Sequence, residues 1–482
     1  MSKKNSIAKN SLFNISYKVF GVLFPLVSQA YIARALMPEQ IGLIAFAQNV
    51  VSYFTFLAPL GIAQYGVRQI ATNRNDKSCL NKIFTELFLI NAVSTLIFTI
   101  LYYIMILSFS YFNENRYLYL IFGLNIFFHL FNVDWFYMGI ERFDYIATRS
   151  IIIKIISFLG LIVLVKKPSD YIIYAIITVV ALCGNYFISF LALHKHIDFY
   201  KGSLLFRNHL KPLIVLLSSS IAAELYTMLD STMIRIIKGD VELAYYSTSS
   251  KIIKISFAIL SALFSTFFPR LSSLWKDDKR KYKEFLLIET NIAWYLSIPC
   301  SVGIFMCSKE IIVSIFSQKY ISSIGTLQIF SPLLIIFSFA YVHGHIPLLI
   351  YGKENKILHA TIIAAIENVV LNLILIPILG KDGAAVASVI AELSVTIILL
   401  YNANKEYKIL MDLNSIVKTI ISSVCMLVVL ILLSQLSINV VLLLFIKIFA
   451  GALSYFICSL IIKHPIIYIV KDTILKKGKE VI

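Results

Sequence analysis

The sequence predicts an all-α integral membrane protein of about fourteen transmembrane helices: two six-helix bundles related by a parallel duplication, then two C-terminal helices. Three observations predict it. Fourteen apolar runs alternate with short connectors, and each run is near the ~20 residues a helix needs to cross ~30 Å of hydrocarbon. Lysine and arginine are one-sided: 30 of the 43 fall at the chain ends and in alternate connectors, and 8 fall on the opposite side. The composition is 59% hydrophobic and only 14% charged, with a mean hydropathy of +0.84, which excludes an ordinary soluble globule.

The runs follow in order. Residues 12–33 come after Lys3, Lys4 and Lys9 with no small-residue cleavage site, the pattern of a retained signal anchor. Residues 41–61 lead into a basic connector with Arg68, Arg74, Lys77 and Lys82. The next pair, 83–109 and 117–139, is joined by a connector whose one cation is Arg116. Arg142 and Arg149 precede or edge 150–165, and Lys166 and Lys167 separate that run from 171–193. Lys195, Lys201, Arg207 and Lys211 lead into 211–235, and Lys238 into 244–268. The most basic connector, Arg270 to Lys283, precedes 288–308. Then come 326–350, 358–379 and 383–402, with Lys353 and Lys356 on the basic side and Lys381 on the other. The last runs, 416–436 and 440–462, are followed by Lys463, Lys471, Lys476, Lys477 and Lys479. An even number of crossings with this charge split places both termini in the cytoplasm.

The net charge of +17 is spread over the edges of the runs rather than gathered in one domain. It therefore points to anionic lipid headgroups and topology control, not to nucleic acid. Of the six cysteines, only Cys79 lies outside an apolar run, so no disulfide scaffold is expected. His343 and His345 flank Gly344 with no carboxylate nearby in sequence, and no metal site is expected. HExxH, P-loop, GxGxxG and GxSxG patterns are absent, which argues against an ATP-driven machine or a hydrolase, and no cofactor is expected.

The chain matches itself at a shift of 202 residues. Ile41 to Ile44 fall on Leu243 to Tyr246, Arg68 on Arg270, Asp76 on Asp278 and Lys77 on Lys279. At a shift of 213, Gly139 meets Gly352 and Glu141 meets Glu354. Both copies begin on the same side, so the repeats are parallel, an arrangement suited to a transporter whose halves rock around a central cavity. The expected divisions are 1–207 and 208–405 as six-helix lobes and 406–482 as two added helices with a basic tail.

Charges at bilayer depth cost at least ~2.5–3.5 kcal/mol on insertion scales, so they face partners or water. Lys18 and Gln29 share one face of the first run with Asn14 and Pro25. Asn49 lies on a polar face of the second run with Gln48 and Ser52, whose shifted counterparts are Lys251, Ser250 and Lys254. Arg235 lies near the end of the seventh run. The candidate substrate cavity is therefore Lys18, Gln29, Asn49, Arg235, Lys251 and Lys254, cationic and suited to a phosphate-bearing headgroup. Snorkelling to an interface remains an alternative for Lys18 and Arg235. Glu224, Asp230, Glu367 and His129 are titratable groups placed to couple transport to H⁺ or Na⁺. Glu224 could equally neutralise a neighbouring cation, and polar pairs such as Asn368 and Asn372 could be hydrogen-bonded helix contacts.

Two segments resemble the Wzx-type O-antigen and capsular polysaccharide repeat-unit flippases of the MOP superfamily: YIARALMPEQIGLIAFAQ from Tyr31 to Gln48, and DWFYMGIERF from Asp134 to Phe143. Asp134, Trp135, Gly139 and Glu141 match the more specific element. The resemblance implies two six-helix bundles in a V. It also implies transfer of undecaprenyl-pyrophosphate-linked oligosaccharide from the inner to the outer leaflet of a bacterial inner membrane, in surface polysaccharide biosynthesis. The implied partners are lipid-linked oligosaccharide and membrane lipids, with a polysaccharide polymerase and a chain-length regulator as further candidates. By its position the Asp134–Glu141 element reads either as a structural corner or as a headgroup contact. The competing readings are a multidrug or cation exporter of the same superfamily and a membrane scaffold with no transport of its own.

Overall fold

The computed structural model describes residues 21, 24–406, 408 and 411–467, and the side chains of 219–227 fall outside that description. Every described regular element is helical. Twelve helices among the described residues are long and apolar enough to cross a membrane, and the chain is a multi-pass membrane protein. The first expected run, 12–33, lies mostly outside the described residues; its described end is α1, residues 24–35. The chain divides into two compact units, Met1–Ala244 and Tyr245–Ile482.

In the first unit α2 (Pro38–Leu57) starts with Pro38 in its first turn, where the missing N–H costs nothing. The Gln40 side chain accepts a hydrogen bond from the Met37 N–H at 3.2 Å, closing that end. α3 (Ile62–Asn73) is a helix where the sequence suggested a plain connector. It is too short to span and its mean hydropathy is diluted by a polar face, but Ile62, Tyr65 and Ile70 recur at helical spacing and are buried while Arg68 is exposed. α4 (Lys77–Ser108) is capped by Asp76, which accepts from the Ser78 and Cys79 N–H groups at 3.0 Å. The fourth run is not one helix: α5 (Arg116–Phe128) and α6 (Asp134–Gly139) are separated by a 3₁₀ turn at His129–Phe131. α7 (Phe143–Leu164), α8 (Tyr171–Leu191) and α9 (Arg207–Lys238) follow. Phe84, Trp135, Phe136, Tyr137 and Leu213 centre a core between α3, α4, α6 and the start of α9.

α10 (Asp240–Phe264) leads into the second unit, where α11 (Phe268–Asp277) is the counterpart of α3, again amphipathic, with Leu271 and Leu274 buried. α12 (Lys279–Ile315) is capped by Asp278, which accepts from the Arg280 and Lys281 N–H groups at 3.0 and 3.1 Å. The tenth run is broken into α13 (Ser323–Phe330), α14 (Leu333–Ala340), a π-turn at Tyr341–His345 and α15 (Ile346–Ile350). α16 (Glu354–Leu379) and α17 (Lys381–Glu406) form an antiparallel pair. α18 (Leu413–Leu433) and α19 (Val440–Ile461) pack together and against α12.

Helix starts carry the 202-residue shift: Pro38 and Asp240 open α2 and α10, and Lys77 and Lys279 open α4 and α12 behind aspartate caps. Further along, the structural shift is 211, not the 213 that aligns Gly139 with Gly352. The Arg142 N–H donates to the Tyr137 carbonyl at 2.8 Å and the Lys353 N–H to the Leu348 carbonyl at 2.8 Å. The left-handed residue in the first turn is Glu141 (φ 61°) and in the second Gly352 (φ 68°). The identity of two glycines misled the alignment, because the position that demands a left-handed backbone holds glycine in one turn only.

Candidate functional site

The Asp134–Glu141 element forms a tight corner in the first unit. Arg149 on α7 donates to Asp134 Oδ1 at 2.7 Å through Nη2 and to Asn185 Oδ1 at 2.8 Å through Nε. Ser189 on α8 also donates to Asp134, at 3.1 Å. The Arg149 side chain is 5% exposed and that of Asp134 17%, so this is a largely desolvated pair stitching α6, α7 and α8. Trp135 stacks on Phe84 with ring centroids 5.4 Å apart. A Cβ on Gly66 would lie 2.5 Å from the Trp135 ring, and one on Gly139 would lie 2.6 Å from Ile70. Both glycines thus let α3 and α6 meet at backbone distance. Glu141, at the left-handed position, pairs with Arg74 at 2.8 Å in an exposed bridge.

Of the predicted cavity residues, Lys18 lies outside the described residues. Gln29 is buried on α1. Asn49 on α2 donates to the Met228 carbonyl at 3.1 Å and to Thr232 Oγ1 at 2.8 Å, fastening α2 to α9, and the Tyr53 hydroxyl shares Thr232 at 2.9 Å. Arg235 is ion-paired with Asp240 and lies over the rings of Phe46 and Tyr111, 5.5 and 5.7 Å from their centroids. Its charge is thereby matched within the first unit. In the second unit Lys251 is half-buried and Lys254 exposed, one turn apart on α10.

The candidate coupling residues lie on different elements. The Glu224 side chain lies outside the described residues. Asp230 is buried on α9. His129 forms part of the 3₁₀ turn between α5 and α6; its Nε2 is 3.3 Å from the Asn132 amide and its ring meets Tyr186 edge-on at 5.5 Å. Glu367 is half-buried on α16 beside Asn368, whose side chain accepts from Asn372 at 3.0 Å.

Three further acidic groups, none of them singled out by the sequence, are also buried. Glu86 on α4 accepts from the Leu205 N–H at 2.6 Å and lies 2.9 Å from His209 Nε2, while Tyr65 lies 2.9 Å from His209 Nδ1, a buried chain. Glu310 on α12 holds Lys447 of α19 at 2.6 Å, with side-chain exposures of 7% and 1%. Glu289 on α12 is fully buried. The signal that could have found them is a carboxylate within or at the edge of an apolar run, which needs a partner wherever it lies.

A family described as polysaccharide biosynthesis protein matches residues 7–275. The chain is 22% identical over 406 residues to the “Putative O-antigen transporter” of Escherichia coli K12, covering 83% of this chain and 97% of that protein. Among solved structures, the lipid II flippase MurJ in an inward closed conformation superposes with a TM-score of 0.76 at 19% identity, over 95% of this chain and 99% of that one. An inward-facing multidrug resistance MATE family transporter of the MOP superfamily gives 0.61 at 15% identity, over 82% and 97%. These similarities to solved structures establish the fold.

Proposed function

The chain belongs to the polysaccharide biosynthesis protein family, and on that premise we propose that it is a Wzx-type flippase of the MOP superfamily. It moves undecaprenyl-pyrophosphate-linked oligosaccharide repeat units from the inner to the outer leaflet of a bacterial inner membrane by alternating access, with both termini cytoplasmic. The observation that carries the reading is the family match across more than half of the chain. The named O-antigen transporter, aligned over nearly its whole length, supports the same substrate class. Residues 1–207 and 208–405 act as the moving lobes, with 406–482 as an addition to the second. The lipid-linked oligosaccharide is the substrate partner, and a polymerase and chain-length regulator receive its product.

In this reading Lys251 and Lys254 supply cations for the pyrophosphate, since an ammonium binds phosphate as a mobile point charge with three donors. Arg235, already matched by Asp240, holds the end of α9 instead. Gln29 supplies an amide of the kind sugar hydroxyls require, while Asn49, bonded to Met228 and Thr232, fastens α2 to α9 instead. The Asp134–Arg149 corner keeps α6, α7 and α8 in register while the lobe moves. An ion gradient drives the cycle, with buried carboxylates as the coupling groups.

The test is complementation of a bacterial strain lacking its own repeat-unit flippase, following lipid-linked oligosaccharide and surface polymer. Wild type restores polymer; Lys251→Ala/Lys254→Ala, at equal abundance in the membrane, leaves the lipid-linked intermediate to accumulate. Full restoration by the double variant defeats the cationic-cavity assignment. Drug efflux without polymer would instead mark an exporter.

A further inference from the structure

The second unit contains a group of buried polar side chains with no hydrogen-bond partner among the described residues. Glu289 is 0% exposed and neither of its carboxylate oxygens has a partner. His343 is 1% exposed and neither ring nitrogen has one. The Trp294 indole N–H and the Ser297 hydroxyl are likewise unpartnered. These residues are not scattered. Glu289, Ala293 and Ser297 recur one helical turn apart on α12, as do Thr290 and Trp294. Thr290, Ala293 and Trp294 line a narrow cleft with Ser338, Phe339 and His343. It is nowhere wide enough for a water molecule. Phe339 bridges the two sides, 4.9 Å from the Trp294 ring and 4.8 Å from His343. His343 itself sits in the π-turn Tyr341–His345, an irregularity that single-turn π segments in helices commonly mark at functional sites.

An ionised carboxylate in such surroundings, with no counter-charge and no donor, is strongly disfavoured. Something positive must accompany it. Among the described residues, the cations on helices packed against α12 lie elsewhere: Lys447 is held by Glu310, Lys418 by the Lys463 carbonyl, and Arg270 and Lys276 of α11 are exposed. Of the described elements packed against α12, the π-turn brings Tyr341, which lies within electrostatic reach of Glu289, with His343 and His345; α11 brings Arg270, Lys276 and Asp277, α18 Lys418 and Cys425, α19 Lys447, Tyr455 and Cys458, and the turn at Gln318–Tyr320 Lys319 and Tyr320; α13 and α14 bring none. A Na⁺ ion needs several oxygen ligands at once, and the cleft is lined mainly by carbon and an imidazole. A proton needs neither space nor a ligand shell.

We propose that Glu289 is a proton-binding site of the second unit, and that the adjoining π-turn is the segment whose rearrangement admits and releases the proton during the transport cycle. The carboxylate takes up one proton to become the neutral acid, and gives it back when the turn reorders and water reaches it. This inference rests on the gradient-driven transport reading only for its second half; the protonation itself stands apart from any substrate.

The experiment uses the full chain in lipid nanodiscs and infrared difference spectroscopy across a pH series, with and without Na⁺. The carbonyl stretch of a protonated carboxylic acid should appear in wild type, disappear as pH rises, be lost in Glu289→Gln and be indifferent to Na⁺. No Glu289-dependent band at any pH overturns the proposal, and a band discharged by Na⁺ at constant pH overturns it in favour of a metal-ion site. The second arm uses proteoliposomes with a pH gradient and extracted lipid-linked oligosaccharide. Glu289→Gln should lose gradient-driven enrichment while keeping downhill movement; enrichment equal to wild type overturns the coupling role. If wild type moves no oligosaccharide, the flippase reading fails and the infrared result alone decides the proton site.

Discussion

At the scale of single residues, the family element is a set of packing and pairing constraints. Glu141 occupies a left-handed backbone position that disfavours a non-glycine residue by about 1–2 kcal/mol. Its bridge to Arg74, with both side chains about half exposed, returns at most about 1 kcal/mol. Glu141→Gly is therefore expected to leave stability unchanged or raise it by up to about 1 kcal/mol, whereas Glu141→Ala lowers it slightly, as read by thermal unfolding in detergent. If Glu141→Gly is stable but fails to support polymer export, the side chain contacts substrate rather than serving the corner. Asp134 behaves differently. Removing it strands Arg149, and Asp134→Ala should cost about 3–5 kcal/mol, the usual result of breaking a buried pair from one side. Replacing both partners by apolar residues of similar volume should recover most of that loss. In the sequence Asp134, Trp135, Gly139 and Glu141 were visible as an element, but their partners Phe84, Arg149 and Ser189 are brought to it from three other helices and carry no local pattern.

At the scale of elements, the long apolar runs were legible to within a few residues at most ends, because hydropathy alone decides which segments enter a bilayer. What failed were elements whose apolar content is arranged rather than abundant. α3 and α11 were hidden by averaging over two faces, and the breaks within the fourth and tenth runs fall at a few polar residues (His129 and Asn132; His343 and His345) too local to interrupt the apolar run around them. The aspartate caps were legible in principle, since Asp76 and Asp278 each precede a basic helix start. The Lys281 N–H, aided by the Lys281 ammonium and the Arg280 N–H, holds the Asp278 carboxyl below its usual range. A lowered folded value means that the cap stabilises at neutral pH and is lost only as pH falls below the ordinary aspartate range toward that lower value. Asp278→Asn retains a capping oxygen, so it should abolish this acid-dependent part of the stability while changing little at pH 7; thermal unfolding of the two proteins down a pH series checks it. The contact between α12 and α19 offers a sharper test. Lys447→Ala should cost about 3–5 kcal/mol by leaving Glu310 buried without a counter-charge, and Glu310→Leu/Lys447→Met should be close to wild type.

At the scale of the whole molecule, the charge asymmetry makes a topological prediction that no single helix makes. Single cysteines introduced at Lys279 and Lys353 should react with a membrane-impermeant maleimide only in inverted vesicles, and one introduced at Lys319 only in intact spheroplasts with an opened outer membrane. Labelling of Lys279 and Lys319 positions from the same side would overturn the orientation. The duplication was legible where function-neutral features such as caps and helix starts repeat, and misread where two glycines matched by chance of type rather than of backbone. The candidate cavity was the least legible feature, because a polar face in a run announces only that a partner exists. For Asn49 the partner is α9, and for Arg235 it is Asp240. The Lys447–Glu310 pair has a last consequence, one that concerns synthesis rather than architecture. Lys447 leaves the ribosome more than a hundred residues after Glu310 and must enter the bilayer on a helix that would bear its charge alone. The final hairpin is thus expected to partition stably only once α12 is in place to receive it, and a chain interrupted before α19 would keep Glu310 as an unmatched acid in its core.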